Sequence, residues 1–348
     1  MFKVNRLIDG ELSAGFRQMF GSRRITFGVF FPIESFQGDT PSMKDQGSLA
    51  ALSEQLGFAA LWFRDVPLRD PYFGDTGQVF DPWVYLGYIA SITKRIALAT
   101  GAIIAPLRHP LHIAKAAASV DRLSGGRLVL GLGSGDRASE YSAFGKDLDD
   151  RSDSFRESIG VIRRVLENEY PQFDSSFGRF SGVDLIPKPI TRSIPILIAG
   201  HSGQSIEWIA ENACGWVTYP RTLALQAETV RRWRNAVDNA RPGAIKPLSQ
   251  SLYIDLADDP DARMTPIHLG YRLGRTALRS LLEQLETIGM AHVAFNFKYG
   301  KRPAKEVLQE IGEMVLPHFQ AGNEAVSVDA AIPITNEAAQ IEGVAHSK

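Results

Sequence analysis

Two glycine-rich turns carry the clearest chemical signals in the chain. The first, Gly131-Leu132-Gly133-Ser134-Gly135-Asp136, follows an apolar run at 127–133. Backbone amides in such a turn can closely approach a phosphate or a flat cofactor ring. The same residues can equally form a plain tight turn. The mixed segment after it opens no strong helix, so a Rossmann nucleotide fingerprint is not supported. The second turn, Ala199-Gly200-His201-Ser202-Gly203-Gln204-Ser205, runs into a helix expected over 205–213. Free amides and the positive dipole end of a helix suit a phosphate, and the Ser202 and Ser205 hydroxyls add donors. Either serine could instead only cap the helix; the place at a strand's carboxyl end favours phosphate. A third candidate is Arg64-Asp65, after the apolar run 58–63. The pair either shapes its own loop or faces a substrate, and the residues weigh the two equally.

Other chemistries find little support. His109 and His112 are irregularly spaced around Pro110, which does not suggest a metal pair. Cys214 stands alone, so no intrachain disulfide or cysteine zinc cluster can form; it reads as small core filler. Gly-x-Ser-x-Gly, His-Glu-x-x-His and P-loop motifs are missing. Cradles without a nucleophile or metal suit an enzyme whose cofactor performs the difficult chemistry. A net charge of −1 argues against a nucleic-acid binder. No run of about 18 apolar residues suggests a membrane span, and residues 1–16 lack a signal-peptide pattern. A cytoplasmic protein is expected.

The elements that must position these residues alternate. Apolar strand-like runs at 25–31, 58–63, 95–104, 127–133, 194–200, 215–220, 251–257 and 291–297 are separated by amphipathic helical stretches. Strands apolar along their whole length are buried on both faces, as in parallel sheets. Eight such units predict a single α/β domain, a (β/α)8 TIM barrel. Two segments exceed the minimal barrel: 169–190 after the fourth helix, read as a turn-rich insertion with a small hairpin, and 258–274 after strand 7, read as a loop that closes as a lid. Residues 1–24 form an N-terminal extension, 25–320 the barrel and 321–348 a flexible tail. Asp121 and Arg122 are expected to form structural ion pairs, and Arg127 to sit at the barrel bottom in a structural role.

The stretch His109-Pro110…Asp121-Arg122-Leu123-Ser124-Gly125-Gly126-Arg127…Gly131-x-Gly133-x-Gly135 resembles the bacterial luciferase-like, flavin-dependent monooxygenase superfamily. Residues 199–208 are a second match, and the resemblance runs from about Ile25 to Phe319. It implies FMN at the carboxyl ends of the strands, contacted by Phe30, Thr100, Gly101, Ala102, Gly133, Ser134, Gly200, His201, Ser202, Gly203 and Ser205. Ser202 and Ser205 match the residues that grip the flavin phosphate, and Phe30 an aromatic lining the pocket. Gly101–Ala102 matches a non-proline cis peptide. Ser134 stands where the family carries an arginine, leaving the charge to Arg137 or Arg108.

Light-emitting members carry Glu-His-His after strand 2; here that stretch is Asp65-Val66-Pro67. Luciferase activity is therefore not expected, and Arg64 and Asp65 become the catalytic candidates, with Arg64 facing an anionic or oxygen-rich substrate. The resemblance implies an FMN-dependent monooxygenase that oxidises a small organic substrate with O2, with a flavin reductase as partner and a homodimer as the assembly. The alternatives are an F420-dependent hydride-transfer reductase of the same fold and a non-catalytic flavin-binding protein.

Overall fold

Eight parallel strands close into a ring in the computed structural model, which describes residues 12–320. They are β1 (Thr26–Phe30), β2 (Ala60–Phe63), β3 (Ala97–Thr100), β4 (Leu128–Gly133), β5 (Ile196–Ala199), β6 (Gly215–Thr218), β7 (Leu248–Leu256) and β8 (His292–Asn296). Each pairs in parallel with the next, β8 pairs with β1, and β7 pairs with both β6 and β8, which leaves no open edge in the ring. The expected (β/α)8 barrel is therefore the fold.

Alternation along each strand divides its side chains between two cores. Outward residues such as Val29, Leu61, Leu98 and Leu130 pack under the helices. Inward residues form a smaller core of Phe30, Ala60, Trp62, Ala97, Ala99, Val129, Leu197 and Ala294. The small inward alanines leave room for the Trp62 indole.

The surrounding helices are α2 (Gln46–Gln55), α3 (Pro82–Ile92), α4 (Pro110–Ser124), α6 (Arg151–Glu167), α7 (Ile206–Asn212), α8 (Leu223–Ala240), α9 (Arg275–Ile288) and α10 (Ala304–Met314), with a short α5 (Ala138–Ala143) after β4. Sequence signals set their ends. Asp81 caps α3 by accepting the Trp83 and Val84 amides, with Pro82 in the first turn. Gly125 closes α4 in the left-handed conformation.

Within the N-terminal extension, α1 (Ala14–Phe20) plugs the bottom of the barrel. Its Phe16, Met19 and Phe20 join the inner core. The tail expected over 321–348 lies outside the described residues.

The two insertions differ in outcome. Residues 173–175 and 178–180 form the small antiparallel hairpin expected after α6. Residues 258–274, expected as a loop, instead contain a hairpin of Thr265–Ile267 and Gly270–Leu273. Its second strand pairs in parallel with Tyr253–Leu256 of β7 and extends the sheet. Backbone bonds Tyr253 N→Leu269 O (3.1 Å) and Ala257 N→Leu273 O (2.9 Å), and the Arg272–Asp255 ion pair (2.6 Å), hold it down. A segment with this many backbone ties is a fixed wall of the barrel mouth, which removes the expected lid.

Candidate active site

The floor of the mouth is apolar. Phe30 and Trp62 lie with ring centroids 5.5 Å apart at the tops of β1 and β2. Gly101 comes so close that an added Cβ would sit 2.9 Å from Trp62 and 3.0 Å from Phe30. The Gly101–Ala102 peptide is cis, as the resemblance implies. The chain then pairs Ile103–Ile104 with Leu132–Gly133 of β4. Gly133 faces Ala102, and Ala199 lies next to it, so one side of the mouth is built from the smallest side chains. A flat ring can lie against such a surface. Thr100 is buried, and its hydroxyl bridges both the amide and the carbonyl of Gly131 at 2.8 Å. That places it in the β3–β4 seam.

The glycine–serine turns meet above β4 and β5. The Ser202 hydroxyl donates to Ala199 O (2.9 Å) and accepts the Ser134 amide (3.1 Å), tying the two turns together. Tyr141 of α5 donates to Ser134 O and steadies the first turn. Gly200, Ser202 and Gly203 all have positive φ, at 58°, 49° and 71°. The amides of Ser202 and Gly203 meet no acceptor among the described residues. Amides turned out of a left-handed segment form an anion-binding concavity. Ser205 caps α7 by accepting the Trp208 amide (3.1 Å). The exposed His201 ring packs edge-on against Trp216 at 5.3 Å. These residues fit a phosphate.

The cations nearby are placed differently from expectation. Arg108 lies outside the ring, bonded to Asp65 and Asp81. Arg137 donates to Asp75 O (3.0 Å) and stacks over Phe73 at 4.5 Å. Arg156 of α6, which the sequence does not single out, is the cation beside the second turn. Its Nε and Nη2 both donate to Gln204 Oε1, at 3.1 and 2.8 Å. Asp121 and Arg122 serve backbone rather than ion pairs: Asp121 accepts the Ile190 amide (2.9 Å) and Arg122 donates to Lys188 O (2.6 Å).

On the far side of the mouth, β2, β7 and the end of β8 aim polar groups at one carboxylate. Asp75, from the loop after β2, accepts Arg64 Nη1 (2.8 Å), the Tyr253 hydroxyl (3.3 Å) and the Gly77 amide (2.8 Å). Lys298 Nζ lies 4.0 Å from it. Burial opposes the charge on Asp75, yet the Arg64 guanidinium holds its carboxyl below the usual carboxylate range. Burial also pushes the Lys298 ammonium down and the Tyr253 phenol up. The motifs did not reveal Asp75, Tyr253 and Lys298. The available signal was polar residues at inward positions of a strand: Ser249, Ser251, Tyr253 and Asp255 alternate along β7.

The structure separates Arg64 from Asp65. Arg64 continues the inward series of Ala60 and Trp62. Asp65 points outward, where it takes Arg108 in a two-point pair (2.7 and 2.8 Å) and accepts the Ile104 amide (3.1 Å). A cleft of about 310 Å³ beside it, lined by Val66, Phe80, Leu107 and Phe144 among others, opens outside the ring and away from the floor.

Fold and site together define an α/β-barrel protein with a glycine–serine concavity that fits a phosphate and an apolar floor at the carboxyl ends of its strands. Residues 25–321 match the luciferase-like monooxygenase family, and the chain belongs to that family of oxidoreductases. It is similar to an uncharacterized protein of Mycobacterium tuberculosis, 32% identical over 54% of this chain and 71% of that one. It also resembles the 4-hydroxyprotoasukamycin monooxygenase of Streptomyces nodosus subsp. asukaensis, 27% identical over 62% of this chain and 59% of the other. A third relative is the F420-dependent hydroxymycolic acid dehydrogenase of M. tuberculosis, 31% identical over 50% and 48% of the two chains. Among solved structures, the monooxygenase RslO1 of Streptomyces bottropensis superposes with a TM-score of 0.71 at 22% identity, covering 85% of this chain and 100% of that one. Among the described residues, no group of histidines, cysteines or carboxylates could hold a metal, and no helix is long and apolar enough to cross a membrane.

Proposed function

We propose that the chain is an FMN-dependent monooxygenase that oxidises a small organic substrate with O2, using flavin reduced by a separate reductase. Reduced FMN supplies the two electrons that, with O2, put one oxygen atom into the substrate and release the other as water. The observation that carries the reading is the joined cradle: two turns locked by Ser202, beside the floor of Phe30, Trp62 and Gly101–Ala102. Ser202, Gly203 and Ser205 would hold the phosphate, with the charge of Arg156 next to them. Phe30, Gly101, Ala102 and Gly133 would bed the ring. The residues around Asp75 would face the substrate, and the fixed hairpin and the loop after β2 would exclude water.

F420 is the second reading, favoured by the similarity to the F420-dependent dehydrogenase.

Parallel titrations with FMN, riboflavin and F420, read by fluorescence, test the choice. FMN should bind at least tenfold more tightly than riboflavin, since only FMN fills the phosphate cradle. Ser202→Ala should remove about 1 kcal/mol, or roughly fivefold, from FMN binding alone. Preference for F420, or equal affinity for FMN and riboflavin, would defeat the reading.

A further inference from the structure

We infer that Arg64, Lys298 and Tyr253 form a binding site for the anionic head, most simply a carboxylate, of the substrate, and that Asp75 is an internal occupant which that group displaces. The inference rests on the proposal that this mouth receives substrate.

Geometry separates the site from its occupant. Arg64 continues β2, Tyr253 lies in β7 and Lys298 follows β8, so the three are anchored to the closed ring. Asp75 is carried by the long loop between β2 and α3. That loop is flanked around Asp75 by Gly74 and Gly77, both in the left-handed region at φ 57° and 59°. Only glycine adopts this conformation freely. At Gly77 an added Cβ would also lie 3.2 Å from the Arg64 guanidinium. Before Asp75 the loop is open, with Tyr72 93% exposed; after it, Thr76 and Gln78 are buried and bond Asp39 O and Arg64 O, so movement is confined to the stretch around Gly74 and Asp75.

The charges do not balance within the cluster. Two cations face one carboxylate. Lys298 Nζ makes its close bonds to neutral carbonyls, Gly38 O (2.9 Å) and Gly74 O (2.5 Å), with Asp75 at 4.0 Å. One of those carbonyls belongs to the same loop, so lifting the loop frees the ammonium and the guanidinium together. Arg137 loses only its Nη2 bond to Asp75 O; its Nη1 stays beside Glu140 Oε1 at 3.8 Å, so it adds no free charge to the site. A ligand carboxylate reaching the mouth then finds the donors Asp75 had used. Exchanging one carboxylate for another returns the desolvated cations to a paired state, so the loop can yield to substrate without stranding buried charge. A permanent bridge would hold Asp75 on the barrel wall as firmly as its partners, and would bring one cation rather than two.

The probe is benzoate, with benzamide as its uncharged counterpart, titrated calorimetrically into the protein with and without FMN. Hydrogen exchange across residues 69–80 is followed in the same samples. The inference expects saturable benzoate binding to the wild type, benzamide at least tenfold weaker, and faster exchange in the loop when benzoate is bound. Asp75→Asn should tighten benzoate tenfold or more, and Arg64→Gln should abolish its preference over benzamide. No saturable binding to the wild type, or binding without a change in loop exchange, overturns the inference. Displacement of FMN by benzoate also overturns it, because the anion recognised there would be the cofactor's own. Failure to bind FMN at all counts against the proposed function alone, since the FMN-free titration still reads the anion site.

Discussion

Trp62 Nε1 donates a hydrogen bond to His292 Nε2 across the interior of the barrel, at 3.0 Å. Indole is only a donor, so Nε2 must be the acceptor and the imidazole proton sits on Nδ1. Nδ1 then donates to Thr26 Oγ1 (2.8 Å), whose own proton goes to Met19 O in the plug helix (2.6 Å). The chain of bonds links the floor of the mouth to the bottom of the barrel. It passes beside Gly28, where an added Cβ would sit 2.8 Å from both Trp62 Nε1 and His292 Nε2.

The same pair makes the fold sensitive to acid. His292 is fully buried, and burial pushes its pKa down to about 3. In the unfolded chain a histidine takes its proton near pH 6.5. The unfolded state therefore binds more protons between these values, and stability falls as pH drops from about 6.5 toward 3. At pH 5 the loss from this residue is about 2 kcal/mol. Urea unfolding at pH 7.5, 6 and 5 should show that loss. His292→Gln should be less stable at pH 7.5 and should have a flatter slope over the same range. An unchanged slope in the variant would show that another group carries the acid response.

Arg127 holds the C-terminal end of α3 without a carboxylate partner. Its guanidinium donates to Ser124 O (2.8 Å), Thr93 Oγ1 (2.9 Å), Ile96 O (3.0 Å), Ala90 O (2.9 Å) and Thr93 O (3.1 Å). Carbonyls at a helix end favour a cation, and lysine cannot span this fork. Arg127→Lys should cost about 3 kcal/mol, since several buried acceptors lose their donors. Calorimetry should show Tm lower by roughly 4–5 °C, with FMN affinity unchanged because the residue is remote from the mouth.

Much of this arrangement is legible in residue types, and the remainder is hidden for definite reasons. The strands announce themselves because both faces of a barrel strand are dry. The Gly131–Asp136 and Gly200–Ser205 turns are visible because a close backbone approach requires glycine; at Gly131 a Cβ would fall 1.8 Å from Thr100 O. Arg127 is correctly placed as a structural residue at the barrel bottom. The hairpin after β7 escapes because its turn, Ile267-His268-Leu269-Gly270, puts Leu269 at φ 51° where a turn signature would put glycine or asparagine. Arg64 stands out beside Asp65, but its partners Asp75, Tyr253 and Lys298 escape because they belong to no motif and only barrel closure brings β2, β7 and β8 around one opening.

Asp65 offers a direct test of which member of the Arg64-Asp65 pair meets ligand. Its side chain is 1% exposed and fully engaged by Arg108 and the Ile104 amide. Asp65→Asn turns an amide toward the guanidinium and should cost about 2 kcal/mol, moderated because Arg108 is partly solvated. FMN affinity should stay within about twofold of wild type, as the side chain faces away from the cradle. A large loss of ligand affinity at unchanged thermal stability would instead place Asp65 in contact with ligand.

The outer face of α3 bears on the assembly. Val84, Tyr88 and Ile92 are spaced four residues apart, so they form one stripe, and they are 73%, 53% and 37% exposed. Phe80, just before the helix, is also exposed and borders the cleft beside Asp65. Contiguous apolar stripes of this kind mark association surfaces on soluble proteins, and a two-fold pairing would bring the stripe against its own copy. We propose a homodimer built on this face. Light scattering during gel filtration should give twice the chain mass of 38.3 kDa. Val84→Glu combined with Tyr88→Glu should return the mass to that of one chain, because like charges would meet across the axis. FMN should still bind that variant with near wild-type affinity, since the cradle lies above β4 and β5 and needs no residue of α3. A wild-type mass of a single chain would refute the pairing.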